Sequence, residues 1–173
     1  SANTNKDPFV DQPKIDSPFV ISYIKANPEF KDQLYWAKEF YKESGSNLGW
    51  FKNNELVPQA AQLMKIIDQA GEDALNPKDY KVKDINGLIA KLKASKSDSA
   101  KFNEVERELD LALTNTYFLW ANDFYRGRII PKKNKNVEWD VKRNKIKLHK
   151  ALATVLKLRE SKYDYADFKP LHK

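Results

Sequence analysis

Residues 108–125 read Glu108-Leu109-Asp110-Leu111-Ala112-Leu113-Thr114-Asn115-Thr116-Tyr117-Phe118-Leu119-Trp120-Ala121-Asn122-Asp123-Phe124-Tyr125. With about 3.6 residues per turn, Leu111, Leu113, Tyr117, Phe118, Leu119, Trp120 and Phe124 fall on nearly every side of a helix. A helix apolar all round is one surrounded by others. The stretch therefore predicts an all-α chain, a single multi-helix bundle-like domain packed around a long central helix from about Phe102 to Arg126. It does not predict a membrane span: the apolar run from Leu111 to Asn122 is bracketed by Asp110 and Asp123, well short of the roughly 18 apolar residues a spanning helix requires.

Working outward, the flanks carry helix starts and stops. Gly127 is placed to terminate the central helix, and Pro131 prevents its resumption. Asp123, at the end of the apolar run, predicts an ion pair with Arg126 or Arg128. Upstream, Lys93 to Ala100 is small and polar and reads as a loop. Asp84 is suited to cap a helix with Ile85, Leu88, Ile89 and Leu92 on one face. Pro58 suits a first helical turn leading into Leu63, Ile66, Ile67 and Ala70, with Gly71 as the stop. Residues 44–54 read as a loop, but Trp50 and Phe51 are costly to leave in water, so it is expected to fold back onto the helices. Phe30, Leu34, Ala37 and Tyr41 recur at helical spacing up to Gly45. Ser17-Pro18 reads as an N-cap followed by proline, opening a short helix that ends before Pro28. Residues 1–16 predict an extended lead-in, and residues 17–173 the helical domain. A last helix, from about Lys145 to Arg159, is expected to bury Leu148, Leu152, Val155 and Leu156. No internal repeat is present.

Composition agrees with a globular, water-soluble domain: 41% hydrophobic residues are enough for a core, and only 5 glycines argue against a turn-rich sandwich. Charge is unevenly placed. Arg126 to Lys150 carries a net charge of +8, leaving −1 for the rest of the chain. A field concentrated in this way attracts an anionic partner with salt-sensitive affinity, unless it is simply a solvated face. Arg126, Arg128, Lys142, Arg143 and Lys147, beside Trp139, are the candidates for holding an anionic polymer. A nucleic-acid-binding helical protein is the alternative reading, although few stacking aromatics are mixed into the segment and no helix-turn-helix signature appears, so no nucleic acid is expected.

Catalytic chemistry finds little to stand on. There is no cysteine, hence no thiolate nucleophile or sulfur metal ligand. His149 and His172 are not spaced as a zinc pair, and the glycines form no phosphate-cradling loop. Neither a cofactor nor a metal site is expected, and no catalytic residue is assigned. Glu106 with Asp110, and Glu104 with Glu108, share helix faces at a spacing of four and would serve an acid–base pair in a hydrolase. Lys101 and Arg107 in the same turns favour instead an exposed charged face. His149, on a lysine-rich helix, reads as a surface residue. Trp50, Tyr80, Trp120 and Trp139 read as core or domain-interface packing.

Several motifs occur in a telling order: Phe40-Tyr41, Leu48-Gly49-Trp50, Leu63 through Ala70, Leu75-Asn76-Pro77-Lys78-Asp79-Tyr80, Glu108 through Thr114, Asp123 through Pro131 with its Gly127-Arg128, and Trp139. Together they resemble the helical scaffold domain of large bacterial L,D-transpeptidases over most of residues 30–173, and Phe168 to His172 looks like the opening of that family's next helix. Trp50, Asn76, Pro77, Tyr80, Thr114, Asp123, Gly127, Arg128, Pro131 and Trp139 are the structural residues that this resemblance picks out. It implies a parent that cross-links peptidoglycan stem peptides through a cysteine acyl-enzyme, with this non-catalytic module bracing the catalytic domain. That family's Ser-His-Gly-Cys motif is missing here, so no catalytic residue carries over. The resemblance also implies a periplasmic or cell-envelope location, with peptidoglycan or envelope proteins as further partners. The Ser1-Ala2-Asn3 start, without Met, is in keeping with a trimmed leader or anchor.

Overall fold

The computed structural model describes residues 12–70, 82–129 and 147–156. Among them the chain is all-α apart from one short hairpin. Helix α1 (Ser17–Ala26) is followed by a 3₁₀ helix (Pro28–Gln33), α2 (Leu34–Glu43), strands β1 (Phe51–Lys52) and β2 (Glu55–Leu56), α3 (Pro58–Ala70), α4 (Val82–Ala94), α5 (Ser99–Ile129) and α6 (Leu148–Val155).

Helix α5 is the spine. It touches the 3₁₀ helix, α1, α2, α3, α4 and α6, while α1 and α6 also pack against α2. Every residue from Leu109 to Phe118 is buried, as the all-round apolar pattern requires. Aromatic rings fill the space between helices: Trp36 lies 6.0 Å from Phe118, Tyr117 lies 6.0 Å from Trp120, and Trp120 lies 5.5 Å from Phe124, centroid to centroid. No helix among the described residues is long and apolar enough to cross a membrane.

The helix ends follow local chemistry, with some shifts from expectation. The N-cap of α1 is Asp16 rather than Ser17: its Oδ1 accepts from the Phe19 N–H at 3.1 Å, and its charge also suits the positive end of the helix. Just before it, Ile15 is fully buried and its N–H donates to the Ser46 carbonyl at 2.8 Å. Helix α2 stops at Gly45, as read from the sequence. Gly45 has φ +67°, the Ser46 N–H reaches back to the Tyr41 carbonyl at 2.7 Å, and the Gly45 N–H reaches Lys42 at 3.2 Å. That pair of bonds is a Schellman close.

Other boundaries moved further. Helix α4 already begins at Val82, so Asp84 sits in its first turn instead of capping it. Lys93 and Ala94 are helical, and the expected loop shrinks to residues 95–98. Asp98 starts α5, its Oδ1 accepting from the Lys101 N–H at 3.2 Å. Gly127 does not stop α5, which continues to Ile129. One interior glycine costs a helix only about 1 kcal/mol relative to alanine, little enough for a long, well-packed helix to carry it. Helix α6 begins at Leu148, three residues after the expected Lys145, and buries Leu148, Leu152, Val155 and the following Leu156.

The expected 44–54 loop contains the β1–β2 hairpin, which pairs Phe51 with Leu56 and Lys52 with Glu55 in antiparallel register. Its two turn residues, Asn53 (φ 55°) and Asn54 (φ 64°), both adopt the left-handed conformation that matches strand twist. The fold-back itself occurs: Trp50 is fully buried and Phe51 nearly so.

Candidate functional site

Three α5 side chains one turn apart, Glu106, Asp110 and Thr114, are fully buried. This corrects the expectation of an exposed charged face: only Glu104 and Glu108 are exposed. The reason lies in register, since the row containing Glu106, Asp110 and Thr114 is the one turned toward α2 and the hairpin segment.

Asp110 is the hub. Its Oδ1 accepts from the Trp50 N–H at 2.8 Å and the Gly49 N–H at 3.0 Å, and its Oδ2 accepts from the Tyr41 hydroxyl at 2.6 Å. The Tyr41 oxygen also lies 2.8 Å from Thr114 Oγ1, which accepts from Trp50 Nε1 at 3.0 Å. Proton counting sets the direction. Tyr41 has one hydroxyl proton and gives it to the Asp110 carboxylate, so Thr114 must donate to the Tyr41 oxygen. The indole, the threonine hydroxyl, the phenol and the carboxylate thus form one directed chain of hydrogen bonds, each polarising the next.

Only glycine fits at position 49. A Cβ there would lie 2.6 Å from Phe40 Cζ and 3.2 Å from Leu156 Cδ1. The close approach lets successive backbone N–H groups at Gly49 and Trp50 converge on one carboxylate.

Electrostatics follow burial. Burial pushes the Asp110 carboxyl up to about 6, against the opposing pull of its hydrogen bonds from Tyr41, Trp50 and Gly49. Burial, and then the Asp110 charge and hydrogen bond, hold the Tyr41 phenol well above its usual value, so it remains a donor. Glu106 has no hydrogen bond to either carboxylate oxygen among the described residues. Burial, with the neighbouring Asp110 charge adding to it, raises its carboxyl to about 7.

Two carboxylates with raised pKa values on one helix face would suit acid–base chemistry, but both are fully buried, out of reach of a substrate. The arrangement does mechanical work, tying residues 41, 49 and 50 to the spine. The hydrolase reading therefore falls. His149 is also corrected: it is buried, edge-on to Tyr35 at 6.1 Å between centroids, and burial lowers its pKa. Among the described residues no His, Cys, Asp and Glu group is arranged to hold a metal.

Of the basic segment, Lys147 is described and is exposed, directly before α6. The side chains of Arg126 and Arg128, and all of Trp139, Lys142 and Arg143, lie outside the described residues, as do Asn76, Pro77, Tyr80 and Pro131. The expected Asp123 ion pair involves those arginines and falls outside with them; Asp123 itself is half-buried. Trp50 and Thr114, from separate motifs, are brought into direct contact. Sequence reading missed the roles of Tyr41, Gly49 and Asp110. The available signal was the conflict of a carboxylate at 110 enclosed by Leu109, Leu111, Ala112 and Leu113.

The family model of the Scaffold domain matches residues 36–173. No curated protein and no solved structure matches the chain.

Proposed function

Because the chain belongs to the Scaffold domain family, we propose that it is the non-catalytic supporting module of a cell-envelope L,D-transpeptidase, bracing the catalytic domain during peptidoglycan cross-linking. The observation that carries the reading is the Asp110 cluster. It joins the Phe40-Tyr41, Leu48-Gly49-Trp50 and Glu108-to-Thr114 motifs, three of those that bear the resemblance, into one buried knot. A knot of this kind makes a stiff support, while the absence of cysteine leaves the acyl-transfer step to another domain of the parent.

In this reading the module works outside the inner membrane, and the basic Arg126-to-Lys150 segment, through Arg126, Arg128, Trp139, Lys142, Arg143 and Lys147, faces anionic cell-wall polymer. The test is sedimentation with purified peptidoglycan. The chain is expected to pellet at low salt, release as salt rises, and lose binding on charge reversal of Arg143 and Lys147. Salt-independent or unaltered pelleting of that variant refutes the polymer site. The parent's identity is tested separately by reading the coding sequence past Lys173, where Ser-His-Gly-Cys is expected.

A further inference from the structure

Helix α6 has eight residues, fewer than any other α-helix among the described residues, and no side chain caps its start at Lys147. An isolated helix that short is unstable in water, so α6 depends on what it packs against. It lies mainly on α2 and α5. Gln59 of α3 adds one tie, its Nε2 donating to the Val155 carbonyl at 3.2 Å, and just past the helix Leu156 is buried against Gly49. Leu148, Leu152 and Val155 form the apolar face that α6 buries, and the remaining buried residue of the helix is His149.

His149 occupies a place that suits a neutral ring and not a charged one. Only 6% of it is exposed, and Nδ1 has no hydrogen-bond partner among the described residues. It is the second residue of α6, where the unpaired N–H groups of the first turn set the positive end of the helix dipole beside it. On the α2 side the ring meets Tyr35 edge-on. Lys147 and Lys150 bring further positive charge from its own end of the chain, while Glu39 and Glu43, four and eight residues on from Tyr35 along α2, favour the protonated ring. Among the described residues α5 brings no charge to this balance. Burial outweighs the two glutamates, and the pKa of the ring falls below the ordinary 6.5.

We propose that α6 is an acid-released clasp, docked on α2 and α5 while His149 is neutral and let go as the ring takes up a proton. Once undocked, the imidazole is hydrated and titrates as a free histidine does, near pH 6.5. The undocked state then binds more protons than the docked one, so docking is fully favourable above that value and weakens as pH falls through it. Release bares Leu148, Leu152, Val155 and Leu156 together with the faces of α2 and α5 that they cover, an apolar surface presented only in acid. The clasp does not depend on the transpeptidase reading.

The test is amide hydrogen exchange on the full chain at about pH 7.5 and about pH 5.5, either side of the free histidine value, with the intrinsic pH dependence of exchange divided out. Protection of α6 is expected to fall severalfold at the lower pH, with about tenfold as the ceiling for one linked proton across that interval. Protection of mid-α5 should hold or rise, because the raised Glu106 and Asp110 carboxyls favour the folded core in acid. His149→Phe keeps a ring against Tyr35 and cannot titrate, so its α6 protection should be equal at the two pH values; should that variant fail to dock α6 at either pH, His149→Gln serves the same comparison. A nuclear magnetic resonance titration of the His149 ring should give a lower pKa in the chain than in a free peptide of residues 147–156. Unchanged α6 protection in the native chain, a loss shared equally by α5, a loss that persists in the docked variant, or a ring that titrates at or above the peptide value overturns the clasp.

Discussion

Asp110 and Glu106 sit one helical turn apart on the same face of α5, both fully buried, and the fold treats them in opposite ways. Asp110 accepts from two backbone N–H groups and a phenol, whereas neither oxygen of Glu106 has a partner among the described residues. Burial raises both carboxyls, to about 6 for Asp110 and about 7 for Glu106, and only at Asp110 do hydrogen bonds from Tyr41, Trp50 and Gly49 pull the other way. Equal burial thus does not mean equal consequence. Donors aimed at a carboxylate hold it charged, and their absence leaves protonation as the way to remove the charge.

The largest expected effect comes from breaking the well-served member. Asp110→Ala leaves the Gly49 and Trp50 N–H groups and the Tyr41 hydroxyl without their acceptor inside the core. Each orphaned donor costs about 1–3 kcal/mol, and partial relaxation limits the total to about 3–5 kcal/mol. Denaturant unfolding measures it. A loss under about 1 kcal/mol would mean that the hub contributes little to holding residues 41–50 on the spine.

Glu106 should respond in the other direction. An acid whose pKa is raised on folding binds its proton more tightly in the native state, so its contribution is most favourable below the unfolded value of 4.5 and declines until about pH 7. Asp110 adds a decline of the same sign between 3.8 and about 6. Stability should therefore fall as pH rises from about 4 to about 7. Glu106→Gln removes the upper part of that slope: near wild-type at pH 4, it should be more stable by about 1–3 kcal/mol at pH 8. Midpoints measured across this range decide the matter, and a variant that keeps the wild-type slope would show that Glu106 titrates as if exposed.

The same contrast explains what the sequence disclosed. Helix α5 was legible because Leu111 to Phe124 leaves no polar face, a pattern that only an enclosed helix satisfies. The Gly45 stop was legible because one residue supplies the required positive φ. Gly127 misled, since a glycine can end a helix or be carried within one, and the choice depends on packing. Asp110 was half legible: a carboxylate in an apolar run signals buried donors, but those donors lie 60 and 61 residues away, where no local pattern points. The hairpin was hidden because its strands have two residues each, too few for alternation to show, and its turn is Asn53-Asn54 rather than the stronger Asn-Gly. His149 was misplaced by attention to its lysine neighbours, although His149, Leu152 and Leu156 fall at helical spacing on one face.

The smallest effect concerns how the Asp110 cluster is extended beyond its hub. Thr114→Val keeps the shape of the side chain and removes the hydroxyl, so packing around Trp50 and Tyr41 is retained while the chain of hydrogen bonds is cut in its middle. Tyr41 still donates to Asp110 and both backbone N–H groups keep their acceptor, but Trp50 Nε1, fully buried, loses the Thr114 oxygen it donates to. The expected cost is about 1–2 kcal/mol, one orphaned donor rather than three. Hydrogen exchange at the Trp50 indole separates this from general loosening: it should quicken in Thr114→Val while the Gly49 and Trp50 amides remain protected. If those amides lose protection as well, the threonine is part of the hub, and the carboxylate alone does not hold the hairpin segment in place.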